Sequence, residues 1–281
     1  MASDAMTTFQ FIPYTAHPLL SPYIAKMYVF ESSGRLPAED KKLIVPNANF
    51  KLTYTWSNGI VAHVGEKTYI QHENKLSLTG LIDSPVNLDP EEDVQTGTII
   101  IEFNPIGAYR FFHFSYAHVK NQIVELSDLI GHQAEDLESQ LAEAGNLDMK
   151  LQILQHFLIR QLEKSASDPI YDFCIQRISD SKGLITVSEL EKKTGYSARW
   201  LNKKFTEHLG TGPKNLSEII RFKEFYQVYS SGLKLQKLKG SMYEFYYDQS
   251  HFIRAFKRFT GFIPTDLQGS PNELAIRHYT S

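Results

Sequence analysis

DQSHFIRAFKRFTGFIP, residues Asp248–Pro264, reads as a capped amphipathic helix. Asp248 is a residue type whose side chain accepts from the first free N–H groups of a helix. Phe252 and Phe256 are four apart and share one face, leaving Gln249, Ser250, His251, Arg254 and Lys257 on the other. Amides and guanidinium groups pair with adenine and guanine edges, each good bidentate pair giving about 1–3 kcal/mol of discrimination. Flanking Lys and Arg neutralise phosphates.

Working back along the chain, TVSELEKKTGYSARWLNKKFTEHLG (Thr186–Gly210) repeats this design. A short helix turns Val187 and Leu190 inward. Gly195 suits the tight inter-helix turn because glycine takes positive φ without strain. Ser197 caps the next helix, which buries Leu201 and Phe205 and shows Arg199, Asn202 and Lys203; Lys204 is a further DNA-binding candidate. One helix braces and the second presents polar and basic groups, which is helix-turn-helix spacing. Between the two blocks, Gly212-Pro213 opens a helix that runs to Ser231-Gly232. Its length of about 27 Å, at 1.5 Å per residue, approaches the roughly 34–36 Å repeat of DNA.

Charge agrees with this division. Residues 1–179 carry 13 Lys and Arg against 22 Asp and Glu, a balance of −9, whereas residues 180–268 carry 15 against 9, a balance of +6. A basic block of this size favours a polyanion. The whole chain has 281 residues, 42% hydrophobic and 22% charged, which is globular composition with room for two cores. The one cysteine, Cys174, excludes an internal disulfide and fits a reducing compartment; it reads as a core residue. No apolar run approaches the roughly 20 residues of a membrane span, and MASDAMTTFQ has no secretory pattern.

Residues 9 to about 104 read as short strands. KLTYTW (Lys51–Trp56) alternates with period two, and Asn58-Gly59 predicts a hairpin to IVAHVG. From about Ile106 the period becomes helical, with amphipathic helices over 132–144 and 147–164. In the second, Leu147, Leu151, Leu154, Leu158 and Leu162 form a stripe that either packs on its own domain or pairs two subunits. SASDP (Ser165–Pro169) reads as a linker. The expectation is an α+β protein. A mostly antiparallel, barrel-like β domain with trailing helices covers residues 1–166. An all-α domain with two helix-turn-helix units covers 170–268, and a tail 269–281.

DQSHFIRAFKRFTGFIP resembles the C-terminal signature of the AraC/XylS family of transcription regulators, and GYSARWLNKKFTEHLGTGPKNLSEIIRFKE resembles that family's first helix-turn-helix and connecting helix. The capping Asp, Gln-Ser-His-Phe, Arg-x-Phe-Lys and Gly-x-x-Pro occur together in order. Residues 9–164, with IVPNANFKL, FNPIGAYRFF and SDLIGHQAEDLESQL, resemble the family's sensor region. The resemblance implies DNA contacts from Arg199, Asn202, Lys203, Gln249, Ser250 and Arg254, with packing for Trp200 and a helix-end or phosphate role for His251. It also implies a sensor that binds an effector or pairs subunits. The chain departs from the family pattern at Glu191 and Ser241, where Ala is usual, at Gly240, where a bulky apolar residue is usual, and at Phe245, where the turn Gly is usual. A Phe at positive φ is strained by about 1–2 kcal/mol, so the second turn is expected to take another path.

Metal and phosphate-cradle chemistry find little support. His63 and His72 lie near Glu73 and Glu102 without a His-x-His pair, His113 and His118 do not share a helical face, and Asp89, Glu91, Glu92 and Asp93 read as a solvated loop. No glycine-rich cradle occurs. The expectation is therefore a cytoplasmic, non-enzymatic one-component regulator without cofactor. Its partners would be double-stranded DNA, a small-molecule effector, RNA polymerase if it activates, and a second copy through helix 147–164. Two alternatives stay open: a barrel-type metalloenzyme with an appended DNA-binding domain, and a protein-interaction regulator with a degenerate second unit. Phe30, Tyr54, Trp56 and Phe103 are candidates to line a pocket, with core packing as the competing reading.

Overall fold

In the computed structural model, residues 8–33, 42–90, 95–230, 242–267 and Asn272 are described. Ten strands precede the main helices: β1 (Thr8–Tyr14), β2 (Ile24–Ser33), β3 (Leu43–Ile44), β4 (Phe50–Ser57), β5 (Ile60–Val64), β6 (Lys67–Gln71), β7 (Lys75–Thr79), β8 (Val86–Pro90), β9 (Gln95–Phe103) and β10 (Ile123–Glu125). They form a six-stranded sheet in the order β1-β2-β9-β4-β7-β10 and a four-stranded sheet in the order β3-β8-β5-β6. All pairings are antiparallel.

Alternation along the central strands decides what each face meets. Ile99, Ile101 and Phe103 of β9, with Leu52 and Tyr54 of β4, join the core beneath the helices. Thr98, Ile100 and Thr53 point the other way, into a narrow cavity between the sheets. Phe9, Phe30, Ile44 and Ile60 close one region of that inner layer, and Ala62, Val64, Ile82 and Ile123 another. Of the pocket candidates, Phe30 lines the inner cavity and Trp56 an open cleft at the sheet edge, while Tyr54 and Phe103 are buried against the helices.

The hairpin expected at Asn58-Gly59 does not form. β4 pairs with β9 and β7, whereas β5 pairs with β6 and β8. β4 is a central strand with both edges taken, so Asn58-Gly59 carries the chain from one sheet to the other. Asn58 sits at φ 47, and a side chain on Gly59 would meet the Gln71 carbonyl oxygen at 2.5 Å.

The helices are α1 (Ala108–Phe111), α2 (Ser127–Ile130), α3 (His132–Glu143), α4 (Leu147–Glu163), α5 (Pro169–Asp180), α6 (Val187–Thr194), α7 (Ala198–Leu209), α8 (Pro213–Ser230), α9 (residues 242–245), α10 (Gln249–Thr260) and α11 (Pro264–Leu267). The chain is thus mixed α+β, an antiparallel β region followed by a helical one. The leucine stripe of α4 is not an exposed seam. Leu151, Leu154 and Leu158 are buried and Leu147 and Leu162 pack on the same core, against α1 and α3. The chain's own hydrophobic burial consumes the face offered for subunit pairing. Cys174 is fully buried on α5, and burial pushes its thiol up to about 11. Glu91, Glu92, Asp93, Gly240, Ser241 and most of the 269–281 tail lie outside the described residues. Asn272 is buried and exchanges two hydrogen bonds with the Leu43 backbone, each 3.1 Å.

Candidate nucleic-acid interface

The first unit is α6, a turn, and α7. Thr186 and Glu189 form a reciprocal capping box at the start of α6. Gly195 ends α6 in the left-handed region at φ 75, and the Ser197 hydroxyl accepts from Trp200 N–H at 3.3 Å to start α7. Glu191, standing where a small residue was expected, reaches across the turn and accepts from Ala198 N–H at 2.5 Å. The departure therefore fastens the two helices to each other. Leu190, Leu201, Phe205 and Leu209 are buried beneath.

The outward face of α7 carries Arg199, Asn202 and Lys203, all exposed. Arg199 makes no hydrogen bond or ion pair among the described residues. Asn202 donates its amide to Ala198 O at 2.8 Å, and Lys203 lies 3.9 Å from Glu207. Lys204 is not with them. Its ammonium sits 2.9 Å from the Asp168 carboxylate and 5.5 Å over the Trp200 ring. Successive helical residues are about 100° apart, so Lys204 shares the face of Trp200 and His208 rather than that of Lys203. Trp200 is half-buried and stacks on Tyr196, with ring centroids 4.0 Å apart.

The second unit is α9, a turn, and α10, held by α8, which has the expected 18 residues with Pro213 first. Phe245 is buried and is not among the residues with positive φ, so the turn does take another path. Phe245 ends α9, and Tyr246 and Tyr247 make the turn before the cap. Tyr246 turns inward and Tyr247 is 92% exposed. Asp248 accepts from His251 N–H at 2.7 Å. Phe252, Phe256 and Phe259 are buried, while Gln249, Ser250, Arg254 and Lys257 are exposed. Arg254 donates Nε to Ser250 O at 3.3 Å. His251 is half-buried with its ring edge-on to Tyr246 at 5.3 Å.

Two acidic residues outside these units grip them. Asp83, in the loop before β8, receives Lys120 at 2.9 Å, Asn215 at 2.9 Å and Arg258 at 3.1 Å on one oxygen, and Asn121 at 2.6 Å on the other. Burial alone would push its carboxyl up; hydrogen bonds from Lys120, Asn121 and Asn215 and the Lys120 charge outweigh that and hold it below the usual range. Asp168 receives Lys204 and His208 at 2.9 and 3.1 Å while also capping α5 through Tyr171 N–H. Its carboxyl is depressed in the same way, against burial, by Lys204, the Tyr171 N–H and His208. Arg258 also meets Glu218 at 2.7 Å.

Sequence reading missed Asp83, Arg258 and His208. The Asp-Pro pair at 168–169 did carry a helix-start signal, which the linker reading passed over. Among the described residues, no group of three or more His, Cys, Asp or Glu is placed to hold a metal. His63 pairs with Thr68 at 3.0 Å. Glu102 accepts from Tyr28, Asn47 and Asn49 at 3.1, 2.9 and 2.8 Å. No described helix is long and apolar enough to cross a membrane.

No family model and no curated protein matches the chain. Among solved structures, the chain is similar to ToxT from Vibrio cholerae, at 14% identity with a TM-score of 0.44 over 85% of this chain and 96% of that one. ToxT with a bound unsaturated fatty acid is 13% identical, with a TM-score of 0.44 over 93% and 99% of the two chains. The cupin domain of Schizosaccharomyces pombe Cnp3 is 9% identical over 34% of this chain and 64% of that one, with a TM-score of 0.29. The solved structures that match over most of the chain include these of ToxT.

Proposed function

We propose that this chain is a one-component transcription regulator that binds double-stranded DNA sequence-specifically through α7 and α10, and that its N-terminal domain takes a small-molecule effector. One observation carries the reading. Both helices are capped by a side chain, seated on an apolar pair four residues apart, and exposed along a face of guanidinium, amide and ammonium groups. Arg199, Gln249 and Arg254 read bases, and Lys203 and Lys257 meet phosphates. Asn202 and Ser250 border the same faces. His251 and Lys204 brace the helices, and Lys204 does so through Asp168.

The effector site is the cavity between the two sheets, about 80 Å³. Gln71 lines it, and its buried Oε1 has no hydrogen-bond partner, an acceptor available to a ligand donor. Asp83 and Asp168 hold the reading helices against the rest of the chain, so a ligand that changes this packing changes how readily both helices engage a duplex. RNA polymerase is the further partner if the protein activates.

Selection of duplexes from a random library by the full chain tests the reading. Recovery of a site with two half-sites about one helical turn apart, bound with a salt-dependent affinity, is the expected result. Retention of random duplexes without a preferred sequence, or of none, rejects it.

A further inference from the structure

Between α8 and α10 lies a cavity of about 180 Å³ that adjoins the proposed reading face of α10 and shares Arg254 with it. Arg221, Tyr246, His251, Arg254 and Arg258 line it, with Glu218 as the acidic member. Three guanidinium groups therefore face one carboxylate. That carboxylate is already engaged, since Arg258 donates to Glu218 and, through its other nitrogen, to Asp83 and Asn215.

Among the described residues, the remaining groups keep donors that are not used. Arg221 gives Nε and Nη2 to the Gly183 carbonyl, at 3.2 and 2.6 Å, which leaves Nη1. Arg254 uses only Nε, on Ser250 O, and keeps both terminal nitrogens. Tyr246 is 4% exposed, and its buried hydroxyl has no hydrogen-bond partner. Native structures rarely leave such a group unpaired, so an orphan beside a cationic cavity marks a place for an ion or water. Burial pushes the Tyr246 phenol well above its ordinary value, with Arg221 pulling the other way; the hydroxyl stays protonated near neutrality and acts as a donor.

We propose that this cavity binds a phosphate-class oxyanion, held by Arg221 from α8, Arg254 from α10 and the Tyr246 hydroxyl from the turn between them. The donors come from three separate elements, which suits a tetrahedral anion better than a planar carboxylate. At roughly 10–15 Å³ per water-sized group, the cavity has room for the five heavy atoms of phosphate. The bound anion bridges α8 and α10 and so braces the second reading helix. Free phosphate or a phosphate ester has this chemistry, and so does a backbone phosphate of DNA; the DNA source alone rests on the proposed function.

The test uses the full-length protein titrated with inorganic phosphate, by calorimetry and thermal unfolding, against sodium chloride at matched ionic strength. A saturable heat and a rise in Tm beyond that given by chloride are expected. Tyr246→Phe removes only an unpaired hydroxyl, so it keeps the fold while weakening phosphate by about tenfold; Arg221→Gln weakens it further. Equal responses to phosphate and chloride, or a titration unchanged in Tyr246→Phe, overturn the proposal. If duplex competes with phosphate, and Tyr246→Phe weakens specific and random duplexes alike, the natural source is the DNA backbone. If phosphate and duplex bind together, the source is a free oxyanion. A chain that binds phosphate and no duplex defeats the regulator reading and leaves this site standing.

Discussion

Arg258, on the last turn of α10, donates to the Asp83 carboxylate at 3.1 Å across 175 residues of sequence. α10 is thereby fastened to the loop before β8 by a charge-assisted hydrogen bond. Asp83 is 9% exposed and serves four donors, so the joint is built around the acid rather than around the arginine.

Removing the acid tests the joint. Asp83→Ala is expected to lower stability by about 1–3 kcal/mol in urea unfolding, as for a buried hydrogen-bonded group. It is also expected to tighten duplex binding several-fold in fluorescence anisotropy, because α10 is released. Unchanged affinity in a folded variant would show that the contact is not a restraint on DNA binding.

Acid should loosen the same joints. Asp83 and Asp168 both have carboxyls held below the ordinary aspartate value of 3.8. Their contribution is fully present above that value and is lost as pH falls through the lower folded-state values. A plot of Tm against pH is expected to fall below about pH 4, and to fall less in an Asp83→Asn, Asp168→Asn double variant. Parallel curves would assign the acid sensitivity elsewhere.

Readers and phosphate contacts separate by their sequence dependence. Arg199→Ala and Arg254→Ala should each cost about 1–3 kcal/mol at particular base pairs. Lys203→Ala should weaken all duplexes alike and reduce the salt slope by about one. A uniform loss in the arginine variants would move them to the backbone class.

Substitutions at the two inter-helix junctions should both destabilise, by different amounts and for different reasons. Gly195→Ala meets no atom within 4 Å but must hold φ 75, at a cost of about 1–2 kcal/mol. Phe245→Gly restores the residue usual in the family, yet it removes a buried ring and should destabilise by about 3–5 kcal/mol. Thermal unfolding of the two variants side by side checks both values.

What could be read from sequence was what neighbouring residues decide. The caps at Ser197 and Asp248, the apolar pairs at Leu201/Phe205 and Phe252/Phe256, and the length of α8 all lie within one or a few helical turns, and the structure reproduces them. Asn58-Gly59 misled because a turn signal specifies a local bend and not which strand lies alongside. The partner of β4 was settled by its two buried faces. The ties at Asp83 and Asp168 join residues 175 and 36 positions apart, and no periodicity carries such a pairing. Lys204 entered the candidate set by its charge, and the structure ties it to Asp168 on the side of α7 that carries Trp200 and His208.

The double duty of Asp168 changes what the segment between α4 and α5 can be. One carboxylate oxygen starts α5, and the other anchors Lys204 and His208 of α7. A residue inserted into or deleted from 165–167 would shift α4 relative to that carboxylate and to the two helices it ties. The connection is therefore a strut of fixed length rather than a loose tether, because the residue that closes it is tied to two helices at once.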